Sequence, residues 1–273
     1  VSITPTTCSI PAGRTDLIPE SYTIIDKRVC PQVHLPTPKF VPRDAQADAI
    51  DQISDGIVKA KPGFGKTIVG LGIAHKLGTK TLVICTTTAI RDMWVAEVKK
   101  WFGIDAGVIG SGKFETDSPI VIANIQTLRN RVEEVKEMFG LVIVDEVHRS
   151  VAHTFTHVLN NMKCKHRVGL SGTIERKDGK HVVLQDYFGN NLFVAPVENT
   201  IPPTVHLHKH PYELNMNEFT PWANVVTGLV SNNNYQQFII DLAEMYSKLG
   251  HKVLVISSRT CILENGHMAT KDK

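Results

Sequence analysis

Ile57-Val58-Lys59-Ala60-Lys61-Pro62-Gly63-Phe64-Gly65-Lys66-Thr67-Ile68-Val69-Gly70-Leu71 is the stretch on which the fold turns. It opens as a short β-branched run, Ile57–Ala60, crosses two glycines, and continues into Lys66–Leu77, where apolar residues recur at helical spacing. The order is strand, tight turn, helix. Glycines 63 and 65 let the backbone bend so that several N–H groups face one point, and the helix N-terminus adds a partial positive charge there. An anion is the ligand such a turn suits, and Pro62-Gly63-Phe64-Gly65-Lys66-Thr67 carries the side chains for a nucleotide phosphate. Lys66 is expected to reach the β- and γ-phosphates of ATP, and the Thr67 hydroxyl to bind Mg²⁺. The common form of this loop has a glycine where Ala60 stands, so a glycine-rich turn of purely structural use is the competing reading.

A second strand end supplies what the first lacks. Leu141-Val142-Ile143-Val144 is a continuous apolar run, as a strand buried on both faces should be, and it ends in Asp145-Glu146-Val147-His148. Two carboxylates at the C-terminal end of a parallel strand face the crevice where nucleotides bind. Asp145 suits Mg²⁺, with Thr67 across from it, and Glu146 suits orienting and deprotonating an attacking water. Arg167–Leu170 then delivers Ser171-Gly172-Thr173 at a further strand end, where hydroxyls can bond Asp145 or His148 and register the γ-phosphate; an ordinary turn is the plainer alternative.

Strands are predicted at Ile57–Ala60, Thr81–Cys85, Ile120–Asn124, Leu141–Val144, Arg167–Leu170 and Val253–Ser257, each short, apolar and bounded by polar or Gly residues. Helices are predicted between them at Lys66–Leu77, Ala89–Phe102, Val132–Phe139 and Thr154–Met162, with a later one at Tyr235–Leu249. That alternation is an α/β, doubly wound parallel sheet. Residues 1–40 hold six prolines and read as an irregular extension with one strand at Tyr22–Ile25, whereas Asn191–Pro211 reads as a linker. The expected division is therefore 1–40, 41–200 and 201–273.

At 42% apolar residues the chain has an ordinary globular composition, and no apolar run is long enough for a membrane helix, which points to a cytoplasmic protein without a membrane partner. Five scattered cysteines with no C-x-x-C pair read as free thiols. A net charge of +3 is compatible with a local basic groove and decides nothing more. His206, His208 and His210 alternate along a predicted strand and read as a polar face rather than a zinc site; Trp94 and Trp101, seven apart on one helix, read as packing.

The ordered set A-K-P-G-F-G-K-T (60–67), D-E-V-H (145–148) and S-G-T (171–173) resembles motifs I, II and III of superfamily-2 helicases. D-E-V-H-R-S with G-L-S-G-T-I-E-R-K-D-G looks most like the group of XPB-type repair helicases and phage branch-migration helicases. The resemblance implies a RecA-like lobe followed by the beginning of a second one, with ATP bound between lobes and hydrolysed to move on, unwind or branch-migrate DNA in recombination, replication or repair. On this basis Phe40–Gln46 is similar to an adenine-recognition element, with Gln46 as reader and Arg43 stacking beside the base; a helix N-terminus capped by Asp44 is the other reading. Thr86 and Thr87, then Gln126 and Thr127, match nucleic-acid contacts of motifs Ia and Ic; plain helix capping is the other reading. Val253–Arg259 resembles motif IV, making Ser258 and Arg259 further nucleic-acid contacts. Lys66, Asp145, Glu146 and His148 form the implied catalytic set, with Ser171 and Thr173 coupling it to movement. The implied cofactors are ATP and Mg²⁺, and the implied partner is single-stranded, duplex or branched DNA; a host cytoplasm follows if the gene is a phage's. Motifs V and VI have no counterpart before Lys273, so the chain reads as truncated after motif IV and weak in hydrolysis as written. An RNA helicase of the same architecture, or the motor subunit of a restriction or packaging complex, are the alternatives.

Overall fold

The structure, a computed structural model, describes residues 2–3, 8–19, 21, 25–147, 153–173, 183–196, 204–209 and 220–257. It divides into two compact units, Val1–Thr200 and Ile201–Lys273.

In the first unit, β1 (Ser2–Ile3) and β2 (Cys8–Ser9) pair antiparallel as a two-stranded ribbon. Helix α1 (Asp44–Gln52) precedes β3 (Gly56–Lys59), α2 (Lys66–Leu77), β4 (Thr81–Cys85) and α3 (Thr88–Phe102). Then come β5 (Gly107–Gly110), β6 (Lys113–Phe114), β7 (Ile120–Asn124), α4 (Ile125–Arg129), α5 (Val132–Val135) and β8 (Leu141–Asp145). The unit closes with α6 (His153–Asn161), β9 (His166–Ser171), α7 (Val183–Phe188) and β10 (Leu192–Val194). Strands β3 to β10 form one eight-stranded sheet in the order β10-β3-β9-β8-β4-β7-β5-β6. Every pairing in it is parallel except that of β5 with β6, a hairpin at one edge.

Both faces of this sheet are apolar because both are covered. Val83, Ile122, Ile143 and Val168 point to the side packed by Ile50 of α1, Val69 and Ile73 of α2, and Val98 and Phe102 of α3. Their neighbours in sequence, Leu82, Val121, Val142 and Val144, point to the other side and meet Leu128, Val132, Val135, Val158 and Leu159 of α4 to α6. Alternate residues thus feed two cores, and a helical layer on each face is what makes a parallel sheet stable in water. Helix α2 approaches its neighbours closely through Gly72, against Ile50, and Gly70, whose added Cβ would lie 2.9 Å from Trp94 Cη2.

Several expectations need correction. Residues 191–211 do not begin as linker: Leu192–Val194 adds β10 to the sheet edge, in parallel register with β3. The segment before residue 41 is less detached than its prolines suggest, since Val29 bridges Cys164, Gln32 bridges Thr79, and Leu35 is buried in the core. The strand expected at Tyr22–Ile25 has its first three residues outside the described ones, and Ile25 carries no secondary structure. The helix predicted at Val132–Phe139 stops at Val135.

The second unit holds α8 (Trp222–Val230), which was not anticipated, and α9 (Asn233–Lys248), capped by Asn232 Oδ1 accepting from Asn234 N at 2.9 Å and Tyr235 N at 3.2 Å. Val253–Ser257 is not a strand: residues 251–257 have no regular structure, with Leu254 and Ile256 exposed. A β-run needs a neighbour for its N–H and C=O groups, and among the described residues of this unit there is no strand to provide one. Residues 204–209 likewise are not extended in a sheet; His208 Nε2 lies 3.0 Å from the Tyr246 hydroxyl, and His210 falls outside the described residues. Among the described residues no helix is long and apolar enough to cross a membrane.

Candidate functional site

Chain direction decides where chemistry collects. With β3, β9, β8, β4 and β7 parallel, their C-terminal ends all open on one side, and the chain passes from β3 by way of α2 to β4, skipping two strands. The crevice of a doubly wound sheet lies at such a switch. Residues 60–67 leave β3 there, Asp145 ends β8, and Ser171 ends the intervening β9.

The loop after β3 is held open by its glycines. Gly63 and Gly65 both have φ of 87°, a left-handed conformation costly for any residue with a Cβ, and Gly65 is the N-cap of α2. A Cβ on Gly63 would meet nothing within 4 Å, so the inside of the turn is vacant. Lys66 Nζ lies 3.4 Å from the Ala60 carbonyl oxygen and 3.6 Å from Glu146 Oε1. The four side chains expected to converge do so: Lys66, Thr67, Asp145 and Glu146 line one cavity of about 350 Å³ with Lys61, Gly63, Gly65, Ile90 and Met93.

Asp145 is 8% exposed, and both its oxygens are engaged. Oδ1 accepts the Glu146 backbone N–H at 2.9 Å, and Oδ2 accepts the Trp94 indole N–H at 2.9 Å. Burial raises the Asp145 pKa above the usual carboxylate range, more than the Trp94 hydrogen bond lowers it. Glu146 has φ of 52°, a left-handed backbone on a residue with a full side chain, at a cost of roughly 1–2 kcal/mol. The cause is adjacent. Val147 is fully buried and folds back against β9, where a Cβ on Gly169 would lie 2.9 Å from Val147 Cγ2, so the chain must reverse at Glu146. Backbone strain spent on aiming a carboxylate is a mark of functional sites.

The remaining expected residues fall around this centre. Gln46 is buried; its Nε2 donates to the Phe64 carbonyl at 2.7 Å, and its Oε1 accepts the Arg43 N–H at 2.9 Å, which caps α1. The cap of α1 is therefore Arg43, with Asp44 already inside the helix. Arg43 Nη2 also donates to the Phe64 carbonyl, at 2.5 Å, and its guanidinium carbon lies 5.8 Å from the Phe64 ring centre, so both adenine-element residues are latched to the loop. Ser171 Oγ donates to the Thr173 carbonyl at 2.5 Å, while Gly172 sits beside the loop, a Cβ there being 3.9 Å from Lys66 Nζ. Pro62 approaches the same glycine, at 3.7 Å from that Cβ to its Cδ. His148, Ser258 and Arg259 lie outside the described residues.

Thr86, Thr87, Gln126 and Thr127 line no part of the cavity and stand at the ends of β4 and β7. Thr87 Oγ1 accepts the Ile90 N–H at 3.3 Å and so caps α3, whereas Thr86 Oγ1 is buried with no hydrogen-bond partner. Gln126 is exposed in the first turn of α4. Arg91 ties these ends together, its Nη1 donating to Asn124 Oδ1 and to Ser111 Oγ, each at 2.9 Å. Ile90, Met93 and Trp94 were not expected at the site; the only signal for them is that α3 starts at a strand end on the crevice side and repeats every three to four residues.

The donor set fits a magnesium nucleotide. Mg²⁺ takes oxygen ligands, usually one or two carboxylates completed by substrate phosphates and water, and the site offers the Asp145 carboxylate, the Thr67 hydroxyl and an open turn for phosphates.

Comparison with known proteins follows this geometry. Residues 39–176 match the family model described as type III restriction enzyme, res subunit. The chain is 46% identical over 260 residues to the probable helicase D10 of Escherichia phage T5, covering 93% of this chain and 58% of that protein. It is 30% identical over 159 residues to the DNA 3'-5' translocase XPB2 of Sulfurisphaera tokodaii, covering 57% of this chain and 36% of that one. The chain thus spans less than two thirds of either relative. Among solved structures, the UvsW helicase of bacteriophage T4 superposes with a TM-score of 0.51 at 20% identity, covering 60% of this chain and 63% of that one. The Hef helicase domain of Pyrococcus furiosus gives 0.51 at 16% identity, covering 56% and 37%. These two share the fold, a RecA-like α/β lobe.

Proposed function

Because this chain belongs to the family of the type III restriction enzyme res subunit, we propose that it is the ATP-hydrolysing core of a DNA helicase or translocase. The observation that carries the reading is the meeting of Lys66 with Glu146 at 3.6 Å in a cavity that Thr67 and Asp145 also line. Lys66 neutralises the β- and γ-phosphates, and the backbone N–H groups around Gly63 and Gly65 cradle them. Thr67 and Asp145 hold Mg²⁺, which when bound withdraws charge from the phosphate oxygens. Glu146 orients the attacking water and takes its proton, a role to which its fixed backbone at the cavity suits it. Gln46 and Arg43 close over the adenine, and Ser171, which ends the strand between the loop and Asp145, and Thr173 just beyond it register the γ-phosphate. His148 completes the acidic motif in sequence and belongs to the catalytic set by resemblance.

The nucleic-acid strand runs along Thr86, Thr87, Gln126 and Thr127, where helix-start N–H groups, the Gln126 amide and the Thr127 hydroxyl contact phosphates and read no sequence. Residues 41–200 form the ATP-binding lobe with 1–40 as its extension, residues 201–273 contribute to a second lobe, and Ser258 and Arg259 are further nucleic-acid contacts by their resemblance to motif IV. DNA is the substrate we propose, because the relative XPB2 of Sulfurisphaera tokodaii is a DNA 3'-5' translocase. The steady-state ATPase rate with and without DNA tests the reading: DNA should raise it, and a rate indifferent to every nucleic acid would refute the motor. Competition between matched DNA and RNA duplexes separates the DNA reading from an RNA helicase, since only contacts sensitive to the 2′-hydroxyl distinguish them.

A further inference from the structure

Trp94 occupies a position that packing alone does not explain. Its ring is fully buried on α3, and its edge faces Gly70 of α2, the helix that follows the phosphate loop. Ile143 Cδ1 and Leu170 Cδ1 approach the same glycine, so the surroundings on this side are aliphatic. A phenyl ring would suit such a pocket without carrying a donor. An indole N–H taken out of water is costly unless it finds an acceptor, and here it finds one, the Oδ2 of Asp145 at 2.9 Å, 51 residues away in sequence. One side chain therefore touches the helix behind the phosphate loop and the carboxylate across from it.

The helix bearing it has a second attachment. Seven residues before Trp94, Thr87 caps the N-terminus of α3, and beside it the Thr86 hydroxyl is buried without a partner. Arg91, one turn before Trp94, binds Asn124 and Ser111 at the ends of β7 and β5. Helix α3 thus has one end among the strand-end hydroxyls and a fixed hydrogen bond to Asp145 in its second turn.

We propose that Trp94 is a positioning residue that sets the Asp145 carboxylate for magnesium and makes α3 the link by which nucleic acid at Thr86–Thr87 influences that ion. The proposal rests on the reading of Asp145 as a magnesium ligand given above. Groups one shell out from a metal fix the orientation of its ligands, and their loss characteristically lowers metal affinity by about 10- to 100-fold.

The test is equilibrium binding of a fluorescent ADP analogue against Mg²⁺ concentration, with and without duplex DNA, for the parent protein and Trp94→Phe. In the parent, DNA lowers the Mg²⁺ needed for half-saturation. In Trp94→Phe that concentration rises by about 10-fold or more and no longer responds to DNA, while DNA binding without nucleotide is preserved. An unchanged Mg²⁺ requirement, or a DNA effect retained in the variant, overturns the proposal; so does a parent whose Mg²⁺ requirement ignores DNA. A parent that binds no nucleotide at any Mg²⁺ concentration sinks the nucleotide-site reading itself, and so the two failures look different. Should Trp94→Phe not fold, the double variant Trp101→Phe/Trp222→Phe leaves Trp94 as the lone indole. Its emission should then change on adding Mg²⁺ to the ADP complex, and an unmoved spectrum overturns the proposal.

Discussion

Two cavities of nearly equal size, each lined by charged residues of both signs, open at opposite ends of the same sheet. The one at the C-terminal strand ends measures about 350 Å³ and contains Lys66, Thr67, Asp145 and Glu146. The other, about 370 Å³, lies where β3, β9 and β10 begin and is lined by Arg28, Asp55, Lys165, Arg167 and Asn191 among others. Volume and charge do not tell them apart. Their hydrogen bonds do. At the second cavity Asp55 Oδ1 accepts the Arg167 backbone N–H at 3.0 Å, Oδ2 pairs with His166 Nδ1 at 2.9 Å, and the Asp55 carbonyl accepts from Asn191 Nδ2 at 3.2 Å. Arg167 Nη2 donates to the Met162 carbonyl at 2.8 Å, and Arg28 closes a fork on Asp26 at 2.8 Å and 2.9 Å. Those charges fasten strand starts to one another. At the first cavity a carboxylate is kept where its charge is disfavoured, and the next residue is held in a left-handed backbone. Groups fixed in position at an energetic cost, rather than groups satisfied by their neighbours, mark the working end.

Substitutions at the two ends should therefore fail differently. The largest effect belongs to Glu146→Gln. It keeps shape and backbone but removes the base, so ATPase turnover should fall by on the order of 10²- to 10⁴-fold with nucleotide binding preserved. Near-parental turnover would remove Glu146 from that role. Lys66→Ala should weaken both nucleotide binding and turnover, the latter by about 10²- to 10³-fold, because it deletes a charge aimed at the phosphates. Asp55→Ala, at the opposite end, should leave turnover per folded molecule unchanged and instead lower stability by about 1–3 kcal/mol in urea unfolding, as the Arg167 N–H and His166 lose their acceptor. A turnover loss exceeding the loss of folded protein would erase the contrast between the ends.

The contrast also orders what the sequence reveals. Helix α2 runs over Lys66–Leu77, as its spacing predicts, because glycines 65 and 78 flank it in left-handed conformations that end a helix whatever surrounds it. Strands Thr81–Cys85 and Ile120–Asn124 are equally local, being apolar runs long enough to stand alone. Leu192–Val194 is three residues whose strand character comes from β3, more than 130 residues earlier, and no local pattern announces it. Val253–Ser257 fails in the opposite sense: the pattern is there, and no strand to pair with it lies among the described residues of its unit. At the site, the glycines, Lys66, Asp145 and Glu146 are legible because their chemistry sits next to strand and helix boundaries. The Trp94 to Asp145 bond joins positions that only folding brings together, and the reversal at Glu146 depends on Val147 meeting Gly169.

The smallest effect sharpens the comparison most, because it concerns stability at the end meant for chemistry. Burial raises the Asp145 pKa, so between its unfolded value, about 3.9, and its higher folded value the native state binds more protons than the unfolded state. Stability then falls as pH rises through that window, and the charge cost is fully present above it. Asp145→Asn keeps an oxygen for the Trp94 N–H and has no charge to bury, the change offsetting the loss of Oδ1 as acceptor for the Glu146 N–H. Without Mg²⁺ and nucleotide it should melt higher than the parent near neutral pH, by a margin that shrinks as pH drops into the window, while losing ATPase activity. Thermal melts of both proteins across pH 4 to 8 supply the check. A variant melting lower than the parent at every pH would mean that Asp145, like Asp55, is there to hold the fold together.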